Sequence, residues 1–194
     1  MKAIFEVGVD EAGRGPLAGP VSVGVIKVSN KFDKKFFRNI KDSKKLNAKS
    51  RESWFKEIKE MSDGGGLEYS VFLVSEKIID KKGIVEAIKI GIGECFNNLK
   101  IPKHSKILLD GSLKAPKDFK NQKTIIRGDE KIALISAASI MAKVIRDKYM
   151  VKLAMKYPQY GFEEHKGYGT ARHIEMIKKF GPSKIHRKTY LTKI

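Results

Sequence analysis

Residues 3 to 9, AIFEVGV, put Ala3, Phe5, Val7 and Val9 at alternate positions, the two-residue period of a strand with one buried face. A Gly/Pro-rich stretch follows, and the β-branched run PVSVGVIKV, 20 to 28, predicts a second strand. The period then lengthens. Asn47 is placed to cap a helix running to about Met61, with Trp54, Ile58 and Met61 on one face and DGGG, 63 to 66, to stop it. LEYSVFLVS, 67 to 75, predicts a third strand. Residues 84 to 99 set Ile84, Ile88, Ile92 and Phe96 in helical register. Gly91 and Gly93 inside that helix each cost roughly 1 kcal/mol relative to alanine, which weakens its expected continuity.

Two short apolar runs, SKILLD (105 to 110) and KTIIRGD (123 to 129), both end on an aspartate. A long helical stretch, about 131 to 156, turns Leu134, Ala137, Ala138, Met141 and Ile145 inward, and its SAAS (136 to 139) is small enough to pack close against a sheet. Thr170 is placed to cap a short helix that closes at Gly181-Pro182. The pattern predicts a single α/β domain over residues 1–194. Its core, about 1–157, holds about five strands with interleaved helices, and a basic, mostly helical segment, about 158–194, completes it.

With 194 residues and 41% hydrophobic content, one compact core is expected. Lys and Arg number 40 against 22 acids, for a net charge of +18, and residues 143 to 194 carry half of it. Such an excess concerns partners, and it favours a nucleic acid over an anionic membrane surface or solubility alone. No run approaches the ~20 apolar residues of a membrane span. Glu6 and Asp10 interrupt the N-terminus as a signal-peptide core. The single Cys95 permits no internal disulfide and suggests no zinc site, so a cytoplasmic location is expected.

Against this positive background, three strand-like runs end in acid: Asp10-Glu11, Asp110 and Asp129. Each acid alone reads as a turn residue or a helix cap, and Asp129 could cap the helix after it. Strand ends from distant sequence can meet at one sheet edge, however, where α/β folds place their ligands. Four carboxylates gathered there would need a cation, and oxygen-only donors suit Mg²⁺ or Mn²⁺, two of which serve phosphodiester hydrolysis. GRGPLA, 13 to 18, formally fits a dinucleotide fingerprint. Pro16 lacks the amide a phosphate would need, and the segment after it reads as a strand, so that use is rejected. Glycines let backbone groups approach a ligand, and a ribose 2′-hydroxyl both donates and accepts. His104, His165, His173 and His186 share no helical face, so surface or nucleic-acid-contacting roles are expected for them. Asp147 follows Lys143 by four residues, which predicts an ion pair on one helix face.

VDEAGRGPLAGPV (9 to 21), DSKKL (42 to 46), LLDG (108 to 111), RGDEKIALISAASIMAKVIRDKYM (127 to 150), HKGYGT (165 to 170) and IHRKTY (185 to 190) resemble, in this order, the motifs of ribonuclease HII. The resemblance implies a ribonuclease-H-like fold with a central mixed sheet. It also implies endonucleolytic cleavage of the RNA strand in RNA–DNA hybrids, including incision 5′ to single ribonucleotides in duplex DNA, with 3′-hydroxyl and 5′-phosphate products. Asp10, Glu11, Asp110 and Asp129 match the family's metal-binding acids, for Mg²⁺ or Mn²⁺ and two ions with substrate bound. Gly13, Arg14 and Gly15 match its sugar-reading element, and Tyr168 its junction-packing tyrosine. Ser43, Lys44 and Lys45 match a loop near the nucleic-acid backbone, and Lys143 and Arg146 match basic positions of its long helix.

Lys44, Lys45 and Lys166 are also of a kind to contact phosphates, and an aromatic ring between glycines, as at Tyr168, can stack on a sugar or base. Departures from the family include the lysine-rich stretch 76 to 84 and Tyr190, where phenylalanine is common. No partner-binding extension follows, which counts against a sliding-clamp partner; a monomer is expected. Two other readings stay open: a non-catalytic nucleic-acid-binding protein, and a ribonuclease of the HI kind that requires several consecutive ribonucleotides.

Overall fold

A computed structural model describes residues 4–40 and 46–192. Five strands, β1 (Phe5–Ala12), β2 (Val21–Ser29), β3 (Glu68–Val74), β4 (Lys106–Asp110) and β5 (Gln122–Ile125), form one sheet in the order β3-β2-β1-β4-β5. β1 lies at its centre, antiparallel to β2 and parallel to β4, while β4 and β5 are parallel to each other. The helices are α1 (Ala48–Asp63), α2 (Glu76–Lys82), α3 (Ile84–Asn98), α4 (Gly128–Lys131), α5 (Ala133–Lys156), α6 (Phe162–His165) and α7 (Ala171–Phe180). Among the described residues, no helix is long and apolar enough to cross a membrane.

The alternation along β1 sends Val7 and Val9 into a core shared with Ile88, Ile92 and Phe96 of α3. Gly8 and Gly24 serve the opposite face. A Cβ on Gly8 would stand 2.3 Å from the carbonyl oxygen of Leu134, and one on Gly24 would stand 2.3 Å from that of Ala138. α5 therefore rests its backbone directly on the sheet. Around this contact Ile26, Val28, Ile58, Leu134, Ala137, Ala138 and Met141 build the second core. A third cluster, with Ala18, Met150, Tyr160, Phe162 and Ile177, binds the C-terminal segment to the end of α5.

Several expectations need adjustment. β1 continues through Ala12, so Asp10 and Glu11 lie within the strand instead of after it. β5 ends at Ile125, four residues short of Asp129, which sits in the one-turn helix α4. Arg127 adopts a left-handed conformation (φ 55°, ψ 47°) that turns the chain into α4. Ile132, at φ −123° and ψ 113°, separates α4 from α5, so the long helix starts two residues late and Asp129 does not cap it. α3 is continuous despite its glycines, and at Gly91, where a Cβ would press within 2.6 Å of Val23, the missing side chain lets the helix sit close on the sheet. α2 was not anticipated. The two expected caps form: Asn47 accepts from the Ser50 amide at 2.8 Å, and Thr170 accepts from that of His173 at 3.2 Å.

The close seat of α5 yields a stability prediction. Gly24→Ala drives a methyl into a backbone carbonyl that cannot turn aside, and should cost about 1–3 kcal/mol. A lowered urea midpoint with unchanged m-value would register it, and an unchanged midpoint would contradict the close contact.

Candidate active site

Strand register brings the first acids together. Val9 pairs with Leu109 across the parallel β1–β4 ladder, so the next residues, Asp10 and Asp110, end up side by side. Adjacent strands lie ~4.8 Å apart, and residues at matching positions point to the same face. Asp10 is 2% exposed. Its Oδ1 accepts the Glu11 amide at 2.8 Å, and burial followed by the charge of Glu11 pushes its carboxyl well above the usual range. The hydroxyl of Ser139, on α5, offsets part of that effect, while the charge of Asp110 adds to it. Asp110 Oδ1 accepts the amide of Gly128 at 2.6 Å, which ties the end of β4 to the start of α4. Asp129 follows, buried at 1% exposure.

A cavity of about 390 Å³ gathers Asp10, Glu11, Asp110, Gly13, Arg14, Gly15, Lys143 and Tyr168, all singled out from the sequence. Ala12, Arg51 and Ser139 complete its wall. Arg51 and Ser139 were missed, although Ser139 precedes Lys143 by one helical turn and so shares its face. Asp129 does not line the cavity. Among the described residues, no three acid, histidine or cysteine side chains are assembled to hold an ion by themselves. Arg14 instead donates to Glu11 Oε1 at 2.9 Å, while Glu11 Oε2 is enclosed without a hydrogen-bond partner among the described residues.

Two buried arginines hold the glycine loop. Arg187 donates to the carbonyls of Gly13 (2.7 Å), Arg14 (2.8 Å) and Gly19 (2.9 Å). Tyr190 adds its hydroxyl to the Arg14 carbonyl at 3.1 Å. Arg146 donates to Pro20 (2.8 Å), Lys166 (3.0 Å) and Ala18 (3.2 Å). Both side chains are fully enclosed, and burial, then the nearby charge of Arg187, draws Arg146 down to about 10. Arg146, expected at the nucleic acid, is instead a buried structural post that holds three main-chain carbonyls. Gly13 has φ +91°, and a Cβ there would collide with the Arg146 guanidinium, whereas Gly15 has open space around it. Asp80 of α2 fastens the segment after Arg187, accepting from the amides of Lys188 (2.9 Å) and Thr189 (3.0 Å) and from the Thr189 hydroxyl (2.7 Å). IHRKTY was matched as a motif and Tyr190 noted only as a departure from the family; neither Arg187 nor Tyr190 was given a role, because nothing in a basic run points to carbonyl partners more than 160 residues away.

Tyr168 is 42% exposed, with Lys143 Nζ 5.5 Å from its ring centre. Lys143 also forms the expected pair with Asp147 at 2.9 Å. Lys166 does not enter the cavity. Its ammonium donates to the carbonyl of Glu163, and it borders an adjoining groove that shares Arg51, Lys143 and Tyr168 with the cavity. Ser43, Lys44 and Lys45 lie outside the described residues.

The histidines correct the sequence reading, because three of them cluster and two of these are buried. His165 and His173 stack at 4.3 Å, and His173 and His186 are 0% and 2% exposed. The Ser183 amide donates to His186 Nδ1 at 2.9 Å, which leaves the His186 proton on Nε2. That proton points to His173 Nε2 at 3.0 Å, and His173 Nδ1 then donates to the Tyr168 carbonyl at 2.8 Å. The chain of bonds works only with neutral rings, and it anchors the backbone of Tyr168 to the C-terminal segment.

The architecture is that of the ribonuclease-H-like nucleases, with Asp10, Glu11 and Asp110 on neighbouring central strands. A family model described as Ribonuclease HII matches residues 7–193. A Ribonuclease HII of Caldicellulosiruptor bescii is 46% identical over 190 residues, covering 98% of this chain and 88% of its own. The Archaeoglobus fulgidus RNase HII, solved in a complex with PCNA, superposes with a TM-score of 0.76 at 28% identity, over 95% of this chain and 94% of that one. The Pyrococcus horikoshii ribonuclease H2 gives a TM-score of 0.70 at 31% identity, over 95% and 93%. The chain belongs to the ribonuclease HII family and is a ribonuclease H, an endonucleolytic hydrolase.

The histidine chain predicts acid sensitivity. Burial, then a neighbouring imidazole for His186, pulls both His173 and His186 down to about 4 in the fold, against about 6.5 for a free ring. Their contribution to stability is therefore complete above pH 6.5 and is lost as pH falls from 6.5 through 4, by on the order of 3 kcal/mol for each ring. Urea unfolding at pH 7.5, 6 and 5 should show this loss, and His186→Gln should flatten it.

Proposed function

We propose that the enzyme incises the RNA strand of RNA–DNA duplexes and also cuts 5′ to a single ribonucleotide within duplex DNA, leaving 3′-hydroxyl and 5′-phosphate ends. The observation that carries this reading is one cavity in which Asp10, Glu11 and Asp110 face the anchored Gly13–Gly15 loop and the half-exposed ring of Tyr168. Phosphate chemistry and sugar recognition thus share one space. Lys143 and Lys166 flank it and would meet phosphates without reading sequence. Ser43, Lys44 and Lys45 are assigned to the same backbone.

The donor set fits a hard cation. It is entirely oxygen, it leaves Glu11 Oε2 buried without a hydrogen-bond partner among the described residues, and its neighbours disfavour the charged form of Asp10. Asp10, Glu11, Asp110 and Asp129 would hold Mg²⁺ or Mn²⁺, two ions once a substrate phosphate adds its oxygens. Such ions supply water acidification and charge stabilisation at the phosphate. The chain's own residues do the selecting. Arg187 fixes the loop so that its main-chain groups can meet a 2′-hydroxyl, which donates and accepts. Tyr168 offers its face to the sugar beside it. Arg14 must leave Glu11 for a cation to enter, and its charge is then available to the nucleic acid.

Asp10→Asn should lower incision of a duplex carrying one ribonucleotide to background while binding persists. Its thermal stability should not fall, because a burdened buried charge has been removed. Normal cleavage by this variant would end the assignment. Gly15→Ala should fold normally, since nothing crowds that position, yet lose roughly tenfold on the single-ribonucleotide duplex, the worth of about one hydrogen bond. Comparison with a uniform RNA–DNA hybrid completes the test. If the native enzyme cut only the uniform hybrid, the HI-like reading would replace this one.

A further inference from the structure

The catalytic cavity does not end at Arg14. That residue also borders a second depression of about 410 Å³, floored by Ile88, Ile92 and Leu113 and rimmed by Lys89 and Lys114. Lys89 and Lys114 in turn border a third, about 710 Å³, which reaches Lys117. Among the described residues, no carboxylate lines either depression. The three spaces are thus linked by shared walls, Arg14 between the first and second and Lys89 and Lys114 between the second and third, in a path leading away from the acids.

The loop that carries Lys114 and Lys117 begins immediately after Asp110. It is built to hold its shape: Leu113, Ala115 and Phe119 are buried in the α3-side core. The Gln122 side chain accepts the Ala115 amide and donates to the Phe119 carbonyl, each at 2.9 Å, while Thr124 donates to the Leu113 carbonyl at 3.0 Å. Lys114 and Lys117 stand exposed on this frame, as do Lys120 and Lys123 beyond them. The single acid of the loop, Asp118, is taken by Lys103. Among the described residues, Lys114 and Lys117 form no ion pair, whereas Lys89 pairs with Glu86 at 3.1 Å.

We propose that this path is a second nucleic-acid surface, which grips the DNA on one flank of the ribonucleotide, and this inference rests on the function proposed above. The chemistry matches a sugar–phosphate backbone. Deoxyribose presents C–H faces to an apolar floor, and phosphates at its margins meet lysine ammonium groups. Direct continuity with the catalytic cavity through Arg14 favours duplex DNA over an acidic protein or a lipid surface. The surface reads no base and no 2′-hydroxyl, so it adds affinity and sets how much duplex the enzyme needs on that side.

The test uses the full chain and the triple variant Lys89→Gln, Lys114→Gln, Lys117→Gln. Binding is measured in chelator, where no cleavage occurs, to a duplex with a central ribonucleotide and to versions shortened on one side or the other. Each lost phosphate contact lowers the slope of log affinity against log salt by about 0.9, so the variant should lose about 2–3 from that slope on the full duplex. Affinity at low salt should fall roughly tenfold or more, and the difference should vanish when one particular flank is removed. With metal present, KM for the long duplex should rise. Equal slopes for the two proteins on every duplex would overturn the proposal, as would a loss that survives removal of either flank. Tight binding of native enzyme to vesicles of anionic lipid, lost in the variant while duplex binding is intact, would assign the surface to a membrane instead. Incision by the native enzyme tests the function separately: a native protein that binds with the full slope but cuts nothing keeps this surface and rejects the reading of the cavity.

Discussion

Two guanidinium groups without access to water hold six main-chain carbonyls, and the geometry of the cavity depends on them. Burying a charged side chain is costly unless its donors are met. Arg187 and Arg146 meet that condition chiefly with carbonyls, and their complete burial keeps them away from a substrate. Gly13 must be glycine because Arg146 occupies the space a side chain would take, and the positive φ follows the same constraint. The loop between β1 and β2 is therefore as well fixed as a strand, although it has no ladder of its own.

The sheet supplies the other half of the site. Parallel pairing of β1 with β4 converts a register into a pair of neighbouring carboxylates, and α5 covers them by lying directly on Gly8 and Gly24. Loop and sheet are joined through the C-terminal segment, which Asp80, the histidine chain and the third apolar cluster each fasten at a different point. Hydrogen bonds from Thr189 and Lys188 outweigh the effect of burial on Asp80 and keep its carboxyl below the ordinary range, so this fastening stays charged well into acid.

Much of this was legible in the chain. Alternation and helical period located the five strands and the principal helices, because their faces are buried on one side and the pattern reports burial directly. The carboxylates stood out because acids at the ends of apolar runs are conspicuous in a basic protein. What the pattern could not report was tertiary in origin. Asp129 looked like a strand end because Ile125 and Ile126 extend the apolar run, yet the left-handed Arg127 breaks it. His173 and His186 looked superficial because imidazoles thirteen residues apart show no joint period. Arg187 looked like one more surface cation in a chain with 40 Lys and Arg, and only its distant carbonyl partners distinguish it.

Those partners have a consequence for the order in which the protein becomes an enzyme. The bond from Arg187 to the Gly13 carbonyl spans 174 residues, and that from Tyr190 to Arg14 spans 176. A chain emerging from the ribosome presents its first carboxylates almost at once, at synthesis rates of about 5–20 residues per second. The loop beside them stays unfixed until residue 187 has been made and folded back. A nascent chain therefore carries its acids long before it can aim them.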